Sequence, residues 1–264
     1  MSETNYAKLP IFLVLDVSAS MAKEGKFQAA FEFLPKLLSQ LEDNAVVADK
    51  VRISVITFDE EAEVVMPMTE RDGLRKWLDD NKKDPIEPMG ALTRYAEAFR
   101  LLRQEIERVV TSIRREKVDD INEYKCFRPA VFFITDGVPF GEEPSETDSA
   151  FNALVSEQFQ YRPIMICVGV GDAKKETLMK YSAGRYGAGG QSNSKYITGN
   201  SDLALVQTDG VTPTAYLKKI IEQLVQSIVS STTNTQSDFN DDGMEEVEFD
   251  LSSEDSSDDF FDLD

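Results

Sequence analysis

Three runs of apolar residues stand out along the chain: Leu9–Asp16 (LPIFLVLD), Val51–Phe58 (VRISVITF) and Ala130–Thr135 (AVFFIT). Each is short, nearly continuous and closed by a polar or turn residue, the pattern of strands buried on both faces of a parallel sheet. Pro163–Val170 (PIMICVGV) is a fourth such run. Ala62–Met66 lies close enough to the second run to pair with it as an antiparallel hairpin, and Lys195–Ile197 reads as a short last strand. Between the strands the period changes to that of helices. Lys26–Leu41 carries Phe27, Phe31, Leu34, Leu38 and Leu41 on one face, with Pro35 inside, so a kink there, or a helix boundary displaced by a turn, is expected. Asp72–Leu78 is a short helix bearing the single tryptophan. Thr93–Arg115 is a long amphipathic helix with Ala98, Phe99, Leu102, Ile106, Val109 and Ile113 along one stripe. Ser145–Phe159, Lys174–Tyr181 and Pro213–Val229 complete the helical segments, the last with proline in its first turn. Strand and helix alternate nearly throughout. The expected architecture is α/β: a doubly wound, mostly parallel six-stranded sheet with helices on both faces.

Charge divides the chain. The formal net charge is −20, and residues 231–264 hold thirteen Asp or Glu and no Lys or Arg, leaving −7 for residues 1–230. The polar, acidic C-terminal stretch is too poor in apolar surface to offset its ordering entropy. The expected organisation is a folded domain over 1–230 and a disordered acidic tail over 231–264, punctuated by Phe239, Phe249, Phe260 and Phe261. The acidity argues against direct nucleic-acid binding, which needs a basic footprint. No apolar run approaches the ~20 residues of a membrane span. The first ten residues lack the basic and apolar regions of a signal peptide, which points to the cytoplasm. The absence of histidine excludes His-based triads and most zinc sites. Two cysteines cannot build a disulfide framework; Cys167 falls in a strand and reads as core.

The chemistry lies at strand ends. The first run closes in Asp16-Val17-Ser18-Ala19-Ser20-Met21, where D-x-S-x-S can turn one carboxylate and two hydroxyls into the same space. These hard oxygen donors suit Mg²⁺ or Mn²⁺. The run Ala130–Thr135 leads into Asp136-Gly137, a second acid at a strand C-terminus. Ligands of doubly wound sheets bind beyond the strand C-termini, where strand order reverses. If the first run and Ala130–Thr135 flank that reversal, Asp16 and Asp136 face each other across it. Taken singly, Ser18 and Ser20 could be helix caps and Asp136-Gly137 a routine turn. Gly184–Gly190 is glycine-rich but lacks the G-x-x-x-x-G-K-[ST] phosphate loop, and reads as a flexible loop.

FLVLDVSASM, RISVITFDEEAEVVMPMTE, ALTRYAEAF and VFFITDGVP together resemble the von Willebrand factor A (VWA) domain, over about residues 7–230. Within it the chain is most similar to the small bacterial TerY-type group associated with tellurium resistance, which also opens L-P-[IV]-x-L-V-L-D and continues I-S-V-I-T-F-D. The resemblance implies a metal-ion-dependent adhesion site (MIDAS) formed by Asp16, Ser18, Ser20, Thr93 and Asp136. Met89-Gly90-Ala91-Leu92-Thr93 departs from the family's Gly-Gly-Thr run, so Thr93 has a rival role as the cap of its helix. The implied function is non-enzymatic. A partner protein supplies an Asp or Glu to the metal, in the setting of a kinase and a PP2C-type phosphatase in bacterial stress or defence. The alternative of another class is a Mg²⁺-dependent phosphoryl hydrolase, which would use Asp16 as nucleophile and want a lysine in the cleft. The 34-residue tail spans about 30–35 Å as a flexible chain, and its carboxylates suit the same open metal position.

Overall fold

The computed structural model describes residues 7–117, 124–184, 196–233 and Leu251. Its elements in chain order are β1 (Ala7–Asp16), α1 (Lys26–Phe31), α2 (Phe33–Asp43), α3 (Ala45–Lys50), β2 (Val51–Phe58), β3 (Ala62–Thr69), α4 (Arg71–Asn81), α5 (Tyr95–Arg115), β4 (Lys125–Cys126), β5 (Ala130–Thr135), α6 (Pro144–Val155), β6 (Ile164–Gly169), α7 (Lys175–Lys180), β7 (Ala183–Gly184), β8 (Ile197–Thr198), β9 (Ala204–Val206) and α8 (Pro213–Thr233).

The sheet runs β3-β2-β1-β5-β6-β7-β8, with β4 also on β1 and β9 also on β6. β2, β1, β5, β6 and β9 are mutually parallel; β3 is the antiparallel edge beside β2. The chain leaves β1 toward β2 on one side and returns to β5 on the other. The strand order therefore reverses between β1 and β5, where Leu15 stands opposite Ile134.

β1 is buried along its whole length because helices cover both sheet faces. Leu9, Ile11, Leu13 and Leu15 point into one apolar cluster with α1, α2, α3, α4 and α8. Phe12 and Val14 point into the other, with α5, α6 and α7. Such double burial is why these strands read as unbroken apolar runs rather than alternating ones.

Four expectations need correction. Nine strands, not six, occur among the described residues; the additions β4, β7 and β9 are two or three residues long, too short to leave a pattern. The expected helix Lys26–Leu41 is two helices meeting at Glu32. Pro35 lies in the first turn of α2, where its ring excludes the carbonyl four residues back and so ends α1 there. The helix expected from Thr93 begins at Tyr95. α8 continues to Thr233, four residues beyond the expected end at Val229. In the expected tail, Leu251 is buried, 9% exposed, in the cluster that holds α8; the other tail residues beyond 233 lie outside the described residues, as do residues 185–190 of the glycine-rich stretch.

Candidate metal site

β1 ends at Asp16 with its side chain fully buried, at the point where the strand order reverses. Asp16 Oδ1 accepts from the Ser18 backbone N–H at 2.8 Å, closing a tight turn that swings residues 18–20 across the strand ends. Its Oδ2 accepts from Thr135 Oγ1 at 2.6 Å. Ser18 Oγ and Ser20 Oγ lie 3.0 Å apart, and Ser20 Oγ donates to Asp136 Oδ1 at 2.7 Å. Asp16, Ser18, Ser20 and Asp136, separated by up to 120 positions in the chain, thus share one hydrogen-bonded cluster. Burial raises the Asp16 pKa from 3.8 to about 6, partly countered by the hydrogen bonds from Thr135 and Ser18; the charge on Asp136 adds to the rise.

Thr93 arrives with the loop 89–93. Met89 N–H and Gly90 N–H both donate to the Val17 carbonyl at 3.0 and 3.2 Å, and Ala19 N–H donates to the Gly90 carbonyl at 2.8 Å. Gly90 is required here by contact: a Cβ would lie 2.2 Å from Asp59 Cβ. Thr93 pairs through its backbone with Phe140, N–H to carbonyl in both directions at 3.1 and 2.9 Å, and is buried. The loop therefore runs beside the Ser18–Ser20 turn, and Thr93 lies between it and the loop after β5.

The capping role that rivalled this one goes to another residue. Arg94 holds the cap position of α5 and makes no side-chain cap. The first N–H groups of the helix are instead satisfied in trans: Tyr95 N–H donates to Glu142 Oε1 at 3.0 Å and Ala96 N–H to Glu142 Oε2 at 3.0 Å. Thr147 Oγ1 in turn fixes that carboxylate at 2.6 Å. A carboxylate on the positive end of a helix is favourable, and it leaves the Thr93 hydroxyl out of the cap.

Two residues of the cluster escaped the sequence reading. Thr135, the last residue of β5, orients Asp16 and accepts from Gly137 N–H at 3.2 Å; it directly precedes the acid of Thr135-Asp136-Gly137. Lys26, the first residue of α1, places its ammonium 2.5 Å from Asp136 Oδ2, with both side chains buried. Nothing in local spacing announces a contact across 110 positions.

The donor set is two buried carboxylates and neutral hydroxyls, which fits a hard divalent cation in chemistry. Among the described residues, no group of three or more His, Cys, Asp or Glu forms another candidate.

Residues 11–138, which run from β1 through the Asp136 turn, match the family model of the von Willebrand factor type A domain. Over those residues the chain is similar to the von Willebrand factor type A domain. Solved structures superpose on it with low sequence identity. Proximal thread matrix protein 1 from the mussel byssus aligns at 14% identity and TM-score 0.56, over 84% of this chain and 48% of that one, in a structure described as having a zinc-occupied MIDAS motif. A von Willebrand factor type A protein from Catenulispora acidiphila gives 14% identity and TM-score 0.55, over 84% and 43%. The pilus adhesin SpaC of Lactobacillus rhamnosus GG gives 13% and 0.57, over 85% and 30%. The chain spans about half, or less, of the length of these solved chains. No curated protein sequence matches it. One of these neighbours is a matrix protein and another a pilus adhesin, and the likeness to them is one of fold. No helix of the described residues is long and apolar enough to cross a membrane.

Proposed function

We propose that this VWA domain is a divalent-metal-dependent protein-binding module. Asp16, Ser18, Ser20, Thr93 and Asp136 would hold Mg²⁺ or Mn²⁺, and a partner's Asp or Glu would complete the coordination. The observation that carries the reading is the convergence of Asp16, Ser18, Ser20 and Asp136 in one hydrogen-bonded cluster at the sheet's reversal point. When bound, the ion supplies a fixed positive centre for an incoming carboxylate. The protein's own residues bury and orient the two acids and keep the remaining donors uncharged.

A macromolecular ligand is favoured by the surroundings. Met89 and Phe140 are 75% and 63% exposed, and they belong to the two loops that flank Thr93. Large apolar side chains held out to solvent beside a charged centre suit a protein surface, whose hot spots are apolar anchors ringed by polar contacts. The kinase and PP2C-type phosphatase setting, and the link to tellurium resistance, rest on the TerY-like opening motifs alone and stand as part of this proposal. So does the cytoplasmic location.

The hydrolase alternative gains one feature, the lysine at Asp136. Against it, Asp16 is fully buried and each of its oxygens accepts a protein hydrogen bond, which holds it as a fixed acceptor rather than a mobile nucleophile. Titration calorimetry with MgCl₂ and MnCl₂ tests the main reading. The wild-type chain should take up one ion, and Asp16→Asn and Asp136→Asn should lose it. A phosphate-release assay in Mg²⁺ that gives signal with wild type and none with Asp16→Asn would turn the assignment toward the hydrolase.

A further inference from the structure

We infer that Lys26 is a tethered cation that competes with the divalent ion for Asp136, and so sets how tightly the site takes its metal. The inference rests on the proposed metal role of the cluster and adds to it a residue outside the donor set.

The chain goes to some length to bring Lys26 there. Glu24 is the only non-glycine among the described residues in the left-handed region, at φ 57°, and Gly25 follows at φ 66°. Two consecutive left-handed residues are costly for an L side chain at the first position. They turn the backbone sharply so that α1 starts at Lys26 with its side chain aimed back at the strand ends. The Glu24 carbonyl is pinned by Thr214 Oγ1 at 2.7 Å, which ties the turn to α8. On the far side, a Cβ at position 171 would lie 3.3 Å from Lys26 Nζ. Gly171, in the loop after β6, therefore leaves the space that the ammonium fills.

The charges decide the consequence. Asp16 and Asp136 carry −2, Lys26 returns +1, and the serine and threonine hydroxyls carry none. The cluster is −1 with lysine in place, where a site of the same two acids alone would be −2. A divalent ion entering it must either share Asp136 with the ammonium or displace it, and like charges a few ångströms apart in a buried setting repel strongly. Metal uptake is weakened by the lysine. The loaded site gains in return: two acids, a lysine and a divalent ion sum to +1, whereas the acids and ion alone sum to zero. The residual positive charge favours a carboxylate ligand over a neutral one. Lys26 thereby trades affinity for the ion against affinity for the anionic partner.

Calorimetric titration of Mn²⁺ into the full chain, comparing wild type with Lys26→Gln, Lys26→Met and Lys26→Arg, tests this directly. Gln and Met remove the charge, and each should bind Mn²⁺ about tenfold tighter or more, while Arg should stay near wild type. Far-ultraviolet circular dichroism reports whether each variant is folded. Gln can still donate to Asp136, so it stays informative if Met fails to fold. Equal or weaker Mn²⁺ affinity in folded Lys26→Gln overturns the inference while leaving the metal site standing. Absence of Mn²⁺ uptake in wild type and in folded Lys26→Gln alike overturns the metal reading, and this inference with it. A second arm measures acetate binding to the Mn²⁺-saturated proteins: wild type should bind it more tightly than Lys26→Gln, and the reverse order also overturns the inference.

Discussion

A carboxylate with no exposed surface is costly, and Asp16 shows how a single residue can hold such a charge. Its oxygens receive a backbone N–H and a threonine hydroxyl, yet desolvation still raises its pKa from 3.8 to about 6. Because the folded value lies above the unfolded one, the contribution of Asp16 to stability is fully present below about pH 4. It is lost as pH rises through about 6. The shift corresponds to about 3 kcal/mol in the metal-free protein. Urea unfolding in EDTA should therefore show the stability of wild type falling relative to Asp16→Asn by about that amount between pH 4 and pH 7. Other acids titrate alike in both proteins and cancel in the difference, so parallel curves would refute the assignment. The motif residues Asp16, Ser18, Ser20 and Asp136 were legible from the sequence because each follows the end of an apolar strand, and strand ends are where such folds put ligands. Lys26 was not legible. Its sequence neighbourhood is an ordinary helix start, and its partner Asp136 lies 110 positions away in the chain.

At the scale of elements, the boundaries of β2 and β5 agree with the apolar runs to the residue, since every position of both is buried, the polar Arg52, Ser54 and Thr57 of β2 included. The helices were less well delimited. α3 leaves no period in the sequence, since it has only six residues, although Asn44 caps it, accepting from Val46 and Val47 N–H at 3.2 Å each. α5 starts two residues after Thr93, a good cap by residue type, because the actual cap comes from Glu142, 47 positions on. No local signal reveals a cap in trans. Glu142→Ala should cost about 1–2 kcal/mol in chemical unfolding, the usual loss for a removed helix cap. It should also loosen Thr93 and lower Mn²⁺ affinity. Unchanged stability would mean that water serves the helix end equally well.

For the whole molecule, the acidic C-terminal segment is more than an appendage at one residue at least. Leu251 lies in the same apolar cluster as α8. Burying a leucine contributes about 2 kcal/mol or more when truncation leaves a cavity. Leu251→Ala should lower the unfolding free energy by about 2 kcal/mol, and deleting residues 234–264 by at least as much. A deletion that leaves stability untouched would show that this contact counts for nothing in solution.

α8 begins beside the ion site, where Thr214 holds the Glu24 carbonyl, and its last turn lies where Lys50 Nζ reaches the Thr232 carbonyl, just before β2 starts. Twenty-one residues of helix separate the two ends, about 32 Å at 1.5 Å per residue. The helix thus has the turn that carries Lys26 at one end and the residue from which the acidic segment continues at the other. A partner seated over the ion and a second body gripping the chain just after α8 would be held apart by the thickness of the domain, so the two could be engaged at once without touching.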